Sequence, residues 1–139
     1  MASPRSAREF DVAPNGADAA ESPQALRLAP GSLPEAEVLA ALDTGLYLSN
    51  LHYLNFSDRL AGRVTGMTRF ACFWVEGGRI VAPLNVMRFD DDLLRLLGPG
   101  LEALGREAVF QPHTDTYGSR QLGSVTTPGA LVSDFALTL

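Results

Sequence analysis

The side chains that could hold a metal ion are few and lie far apart in the sequence. Thiolate and imidazole ligands are limited to Cys72, His52 and His113, which belong to three separate segments. Structural zinc takes four protein ligands and catalytic zinc usually takes three. Cys72 stands between Ala71 and Phe73 in an apolar run, where cysteine usually acts as a small buried hydrophobe. The sequence therefore predicts no metal ligand and no cofactor in this chain.

The sequence also lacks the short motifs that activate a nucleophile or bind a phosphate. No serine occurs within G-x-S-x-G, and no glycine-rich segment has the spacing of a phosphate-binding loop. Two histidines and several carboxylates can always be combined on paper into a triad, but such a combination has no meaning without geometry. We therefore predict no catalytic residue.

One polar set has the composition of a binding site. Arg69 precedes the most apolar strand segment, and Asn85 and Arg88 lie late in the segment that follows Gly77-Gly78. In a hairpin that turns at these glycines, the two arginines lie near the same open end. Two guanidinium groups there could bind a carboxylate or a peptide backbone. The alternative is that they pair with Asp90–Asp92 and brace the end of the sheet.

Short strands are the elements that must position these residues. Gly77-Gly78 is typical of a two-residue hairpin turn, and Pro83 predicts a bulge or an edge in the returning strand. Polar stretches with glycine predict loops over 57–66 and 111–123. Alternating, β-branched and aromatic residues predict about six strands among seven candidate segments, 25–29, 46–56, 69–76, 79–89, 108–110, 124–127 and 130–138.

Two short helices complete the prediction. Ser32 and Glu35 have the spacing of a capping box for a helix over 33–42. Asp90–Asp92 precede a second helix over 93–97, where acidic residues complement the helix dipole. Gly98-Pro99-Gly100 breaks this helix, and residues 101–104 form one further turn. Because strands and helices do not alternate, the sequence predicts an α+β fold built on a mostly antiparallel β-sheet.

Length and composition limit the number of domains and the class of protein. The 139 residues suffice for one domain, which we place at 25–139 after a disordered tail over 1–24 that is poor in bulky apolar residues. All 11 basic residues are arginine and the net charge is -5, which argues against nucleic-acid binding. The single cysteine excludes an internal disulfide and fits a reducing cytoplasm. No apolar run approaches the roughly 20 residues of a membrane span, and no secretory signal is evident, so we expect a cytoplasmic protein without membrane contact.

Several short motifs occur in one order along residues 27–138. Together they resemble the C-terminal domain of the TldD/PmbA metallopeptidase family, including its "TGlTR", "F-x-I/V-E-N-G-x-I" and "N-x-RF" segments. The residues that carry the resemblance are Gly31-Ser32, Gly45–Leu48, Thr65–Arg69, Phe73–Ile80, Pro83, Asn85, Arg88-Phe89, Gly123–Val125, Pro128 and Asp134-Phe135.

The resemblance implies a peptidase family but not a peptidase. Catalytic members carry His-Glu-x-x-x-His on a helix upstream of this domain and a cysteine ligand near the C-terminus. Here His52 is followed by Tyr53, His113 is followed by Thr114, and Tyr117–Gly123 contains no cysteine. No catalytic residue of the family can therefore be transferred to this chain, and zinc is expected only in a catalytic partner.

The resemblance leaves two hypotheses for function. In the first, the chain is a non-catalytic C-terminal domain that acts as a scaffold or as a wall of the substrate cleft in a proteolytic assembly. In the second, it is an independent self-associating or peptide-binding module with no link to proteolysis. The expected partners are a second copy of the chain or a TldD/PmbA-type peptidase subunit. The last strand, 130–139, has no charge after Asp134 and is predicted to be an open edge.

Overall fold

The computed structural model describes residues 2–14, 25–116, 118, 120 and 123–138. Contacts divide the chain into two units, one formed by Met1–Ala29 with Val109–Thr127 and the other by Pro30–Ala108 with Pro128–Leu139. Among the described residues no helix has the length and hydropathy that a membrane crossing needs.

The first unit begins with a helix that the sequence did not predict. Helix α1 (Pro4–Glu9) forms because the side chain of Ser3 accepts a hydrogen bond from the N–H of Ser6 and proline is tolerated in the first turn. Ala7 is buried. Residues 15–24 lie outside the described residues, so the tail over 1–24 and the domain boundary at 25 stay predictions.

Strand β1 (Ala25–Arg27) occupies the predicted segment 25–29. It pairs in parallel with the start of a long strand near the C-terminus, in a three-stranded sheet. Numbering strands in chain order, the other two members of this sheet are β8 (Leu101–Pro112) and β9 (Ser124–Val132). The order is β1-β9-β8.

The second unit contains a four-stranded antiparallel sheet with the order β10-β7-β4-β3. Its strands are β3 (Leu51–Asp58), β4 (Arg63–Thr68), β7 (Arg88–Asp92) and β10 (Leu137–Thr138). A second antiparallel sheet has the order β2-β5-β6 and contains β2 (Gly45–Leu48), β5 (Cys72–Glu76) and β6 (Arg79–Pro83). The α+β class with a mostly antiparallel sheet is confirmed.

The two faces of the four-stranded sheet differ in polarity. Paired residues share a face, so Phe89 opposite Gly66 lies on a buried face, whereas Arg88 opposite Met67 lies on the other. The ring of Phe89 is 1% exposed and packs against Phe135 with a centroid distance of 5.0 Å. A side chain at position 66 would approach the Phe89 ring to 2.9 Å, and this close packing explains why glycine stands inside the strand.

The predicted loop over 57–66 is wrong in its second half. The turn is shorter because the carboxylate of Asp58 accepts hydrogen bonds from the N–H groups of Leu60 and Ala61. Strand β4 then starts at Arg63. Gly66 suggested a loop, but it serves packing against Phe89.

The predicted strand over 46–56 is two strands, β2 and β3, which belong to different sheets. The chain leaves the first at Ser49 and enters the second at Leu51. The predicted strand over 69–76 begins only at Cys72, because Phe70 adopts a positive φ of 63°.

The hairpin turn at Gly77-Gly78 is confirmed, with φ of 53° and 70°. The returning strand ends at Pro83, on the edge strand β6 as predicted. Residues 88–92 do not continue this hairpin, because β7 pairs with β4 and β10.

Helix boundaries differ from the prediction in a similar way. Ser32 does not cap a helix; a 3₁₀ turn over Glu35–Glu37 follows Pro34 without a side-chain cap and leads into α2 (Val38–Leu42). The N–H of Glu35 instead donates to the carboxylate of Glu107 at 3.1 Å.

Helix α3 (Leu93–Leu96) lies where the second helix was predicted, but only Asp92 caps it, while Asp90 and Asp91 belong to β7. The helical turn expected over 101–104 is part of strand β8. The separate strands predicted over 124–127 and 130–138 are mostly one strand, β9, which continues through Pro128-Gly129.

Candidate functional site

Arg69 and Arg88 lie at the same end of one strand pair, although the pair is not the predicted hairpin. Arg88 stands opposite Met67 on β4, and Arg69 follows the last residue of that strand. Both arginines and Asn85 are exposed. The guanidinium of Arg69 lies over the ring of Phe70, 5.5 Å from its centroid. The structure thus brings the two arginines to one sheet end, with Asn85 in the segment that enters β7.

The acidic residues that might have neutralised these arginines are used elsewhere. Asp90 forms an ion pair with Arg63, and Asp91 forms one with Arg95. The alternative in which Arg69 and Arg88 pair with Asp90–Asp92 is not observed among the described residues. Among the described residues, neither arginine is in an ion pair, so their charges face solvent.

Asp90 illustrates how an exposed carboxylate is held on the polar face of the sheet. A hydrogen bond from Ser57 and then the guanidinium of Arg63 lower the pKa of Asp90 below its ordinary value. The Arg63 Nε atom lies 2.9 Å from Asp90 Oδ1. Because both groups reach solvent, this pair orders the two central strands β4 and β7 more than it stabilises them.

Asp91 is a buried carboxylate, 4% exposed, with a full set of partners. Arg95 donates to both of its oxygens, at 3.1 and 2.6 Å, and the N–H of Ala136 donates at 2.8 Å. Arg95 also donates to the backbone carbonyls of Ser133 and Asp134. Burial raises the pKa of Asp91, but the hydrogen bonds from Arg95 and from backbone N–H groups outweigh burial, so the pKa lies below its ordinary value. The role of this cluster is to fix the segment that leads into β10.

An apolar pocket of about 580 Å³ opens in the second unit. Its volume lies within the range of roughly 300–1,000 Å³ that is usual for ligand sites. Polar groups of Thr44, Glu102 and Asp134 also line it. The apolar lining includes Leu42, Leu46, Leu48, Leu51, Leu96 and Phe135. The pocket is suited to apolar side chains and holds no paired acid and base.

Strand β3 carries an unusual exposed surface. It is an edge strand of eight residues, and seven of them are exposed. We define the β3 surface as the exposed apolar residues of this strand, of the turn after it and of the segment that follows β4. These residues are Leu51, Tyr53, Leu54, Phe56, Leu60 and Phe70.

The possible zinc ligands lie in three separate segments. Cys72 is 3% exposed, and its thiol donates to the carbonyl of Arg69 at 3.3 Å. His52 lies half-buried in β3 against Tyr53, and His113 belongs to the other unit. Within residues 2–14, 25–116 and 123–138 no group of three or more histidine, cysteine or acidic side chains could hold a metal ion. The described side chains therefore do not form the set of three or four ligands that zinc takes.

The fold and these features define a β-rich domain whose described residues include an apolar pocket and an edge strand with exposed apolar side chains. Residues 1–139 match the family model of the PmbA/TldA metallopeptidase C-terminal domain, so the chain belongs to this family and corresponds to its C-terminal domain. No match was found among curated proteins.

Two solved structures have the same fold. A proposed modulator of a DNA gyrase from Thermotoga maritima is 20% identical with a TM-score of 0.75, over 98% of this chain and 29% of that protein. TldE from Thermococcus kodakarensis is 13% identical with a TM-score of 0.73, over 96% of this chain and 29% of that protein. The chain therefore spans less than a third of the length of these relatives.

Arg69, Asn85 and Arg88 were predicted from the sequence as a binding set, and this stays a prediction, whereas Asp91, the pocket and the β3 surface were not predicted. Asp91 belongs to the acidic run 90–92, whose pattern is typical of the N-terminus of a helix. The aromatic content of residues 53–56 was visible, but exposure depends on which strand forms the sheet edge, and this is a non-local property. The pocket combines residues from distant segments and has no local signal.

Proposed function

We propose that this chain is a non-catalytic C-terminal domain of the TldD/PmbA type that acts as a scaffold or a cleft wall in a proteolytic assembly. The observation that carries the proposal is the match of the whole chain to this family, in a sequence without His-Glu-x-x-x-His. A chain without its own zinc centre contributes binding surface, and the hydrolytic step then belongs to a zinc-bearing partner.

Burial supports a role that depends on partners. In the described part of the chain, five hydrophobic residues are buried, whereas eighteen large hydrophobic residues are exposed. Scattered exposed apolar residues are normal, but contiguous ones usually mark an interaction site. The β3 surface places exposed apolar residues along one edge strand and beside it, and the pocket gathers leucine side chains at one opening.

In the cleft-wall role, the pocket would hold an apolar side chain of an extended peptide. The exposed Arg69 and Arg88 and the amide of Asn85 would bind a carboxylate or backbone carbonyl of a peptide. The pocket and the set of Arg69, Asn85 and Arg88 are proposed as separate sites, because they share no residue.

The alternative function is an independent self-associating or peptide-binding module with no link to proteolysis. The β3 surface favours self-association, and the pocket favours peptide binding. Under this alternative, the chain binds its ligand in the absence of any peptidase subunit.

A reconstitution assay separates the two functions. A TldD/PmbA-type subunit with His-Glu-x-x-x-His from the same organism is titrated with this chain, and casein hydrolysis is measured in the presence of zinc. We expect the chain alone to be inactive and the rate of the mixture to rise until the two are equimolar. A rate that is independent of the added chain would contradict the proposal. A variant with Arg69→Ala and Arg88→Ala, beside Arg79→Ala as a matched exposed control, tests the two arginines.

A further inference from the structure

The apolar pocket of the second unit has one wall in the segment that follows Gly129. Residues 130–135 line the pocket together with leucine side chains of α2, β2 and α3. The open edge predicted at 130–139 is mainly wrong, because residues 130–132 lie in the central strand β9 and the edge strand β10 has only two residues. The first half of this segment is therefore the wall of a cavity.

The charged side chains at the pocket all have the same sign. Among the described residues that line it, the charged ones are Glu102 and Asp134. Both are exposed, whereas Leu96 in the same lining is 8% exposed, so the carboxylates lie toward the opening and apolar surface lies deeper. The N–H of Ser133 donates to the carbonyl of Gly100 at 2.9 Å, which places the two acidic residues on adjoining segments. Two carboxylates at the mouth of an apolar pocket attract a cation.

The backbone that carries Asp134 is fixed by hydrogen bonds within the fold. Arg95 donates to the carbonyls of Ser133 and Asp134 at 3.0 and 2.9 Å and is itself held in an ion pair with Asp91. Asp134 has a φ of 52°, in a region that aspartate tolerates. The guanidinium of Arg95 thus donates to Asp91 and to backbone carbonyls, and the wall is ordered without a ligand. Such an ordered wall lowers the entropy cost of binding.

The chemistry of the pocket favours one kind of peptide residue. In the first residue of a peptide, the ammonium group and the side chain are bonded to the same Cα atom. A large apolar side chain can therefore enter the pocket while the charge stays at its mouth. A lysine or arginine side chain carries its charge at the far end, where burial among leucines is costly. An apolar residue inside a peptide has no charge to offer to the two carboxylates.

We propose that this pocket binds the free amino end of a peptide whose first residue is large and apolar. The side chain lies among the leucines, and the ammonium group lies between Glu102 and Asp134. The inference rests on the cleft-wall role of the proposed function and names the class of peptide that the wall selects. Capture of the amino end also sets the register of an extended peptide, because each later residue then lies at a fixed distance along the chain.

A set of matched peptides tests the inference on the full chain alone. The probes are the peptide amide LGSAGS, its analogue in which hydrogen replaces the amino group of the first leucine, and the peptides GGSAGS and KGSAGS. Binding is measured by isothermal titration calorimetry at neutral pH. We expect the analogue without the amine to bind about tenfold more weakly, which is the upper range for two exposed ion pairs. The glycine and lysine peptides should also bind at least about tenfold more weakly, since neither fills the apolar pocket at low cost.

The protein variants locate the preference for the amine. Glu102→Gln and Asp134→Asn remove one charge each, and asparagine tolerates the positive φ at position 134. Each variant should reduce the preference for the free amine about threefold, and the double variant should abolish it while the binding of the analogue without the amine stays unchanged. Glu37→Gln is the matched control, because Glu37 is exposed and does not line the pocket. Circular dichroism checks that every variant is folded.

Three results would overturn the inference. These are equal binding of the peptides with and without the amine, no binding of LGSAGS, and a double variant that keeps the preference. Equal binding with and without the amine would instead indicate a pocket for apolar side chains inside peptides. The test does not depend on a peptidase subunit, so its failure differs from that of the proposed function. A chain without a preference for the amine that still raises casein hydrolysis would leave the proposed function intact.

Discussion

A single buried carboxylate, that of Asp91, joins three segments of the second unit. It lies on β7, binds the guanidinium of Arg95 on α3 and accepts the N–H of Ala136 ahead of β10. The pair is partly buried, and its remaining hydrogen-bonding groups are satisfied by backbone carbonyls. Such a cluster stabilises a fold when it is complete, and removal of one member leaves the other desolvated without its partner.

Replacement of Asp91 by asparagine should therefore lower the free energy of unfolding. We expect a loss of about 2 kcal/mol, which is typical for buried hydrogen bonds to a charged group. Urea unfolding at neutral pH measures it. Asp90→Asn is the matched control on the same strand and should have a much smaller effect, since its ion pair with Arg63 is exposed to solvent. Equal losses in the two variants would contradict the role assigned to Asp91.

The pH dependence of stability provides a second test of Asp91. Its pKa in the folded chain lies below the unfolded value. The stabilisation is therefore present above the unfolded pKa of about 3.9 and is lost as the pH falls through the lower folded value. The difference in unfolding free energy between wild type and Asp91→Asn should be constant near neutral pH and shrink below about pH 4. A difference that shrinks only above pH 6 would assign the effect to another group.

At the scale of elements, the β5–β6 hairpin depends on two glycines with different surroundings. Both have positive φ, but a side chain at position 77 would meet nothing within 4 Å, whereas one at position 78 would lie 3.2 Å from the Cα of Ala40. Asparagine tolerates positive φ. We expect Gly77→Asn to leave the melting temperature nearly unchanged and Gly78→Asn to cost about 1–2 kcal/mol through crowding against α2. Thermal unfolding of both variants checks this, and the reverse order would contradict it.

Elements with a local cause were predictable from the sequence. The turn at Gly77-Gly78 and the helix break after Leu97 follow from the conformational preferences of glycine and proline, and both are confirmed. Strand partners were not predictable in the same way. Residues 79–89 look like one strand, but β6 ends at Pro83 and only Arg88 and Phe89 of this range pair with β4, where the Phe89 ring is buried. Gly66 was predicted to lie in a loop, but it lies in β4, where the absence of a side chain leaves room for the Phe89 ring.

For the molecule as a whole, the ordered motifs indicated the family, and the match over the whole chain confirms it. The same motifs could not indicate which surfaces face a partner. The arginines at 69 and 88 were predictable as a polar pair, but the pocket and the β3 surface arise only when distant strands are assembled into sheets. Which apolar residues are exposed therefore cannot be predicted from the local sequence pattern.

The chain is also predicted to purify without stoichiometric zinc. The sequence has only two histidines and one cysteine, and Cys72 is buried with its thiol bound to a backbone carbonyl. Zinc sites need three or four ligands at one point. Metal analysis of the purified chain measures this, with Cys72→Ser as the comparison. One tightly held zinc per chain that is lost in Cys72→Ser would contradict the prediction.

The central claim is that this chain works as the non-catalytic member of a proteolytic assembly. The most direct test is to co-express it with a TldD/PmbA-type subunit that carries His-Glu-x-x-x-His and to determine the mass and zinc content of the purified complex by light scattering and metal analysis. The predicted result is a stable complex that contains both chains, with one zinc for each catalytic subunit and none for this chain. Separate elution of the two proteins, each with its own mass, would contradict the claim.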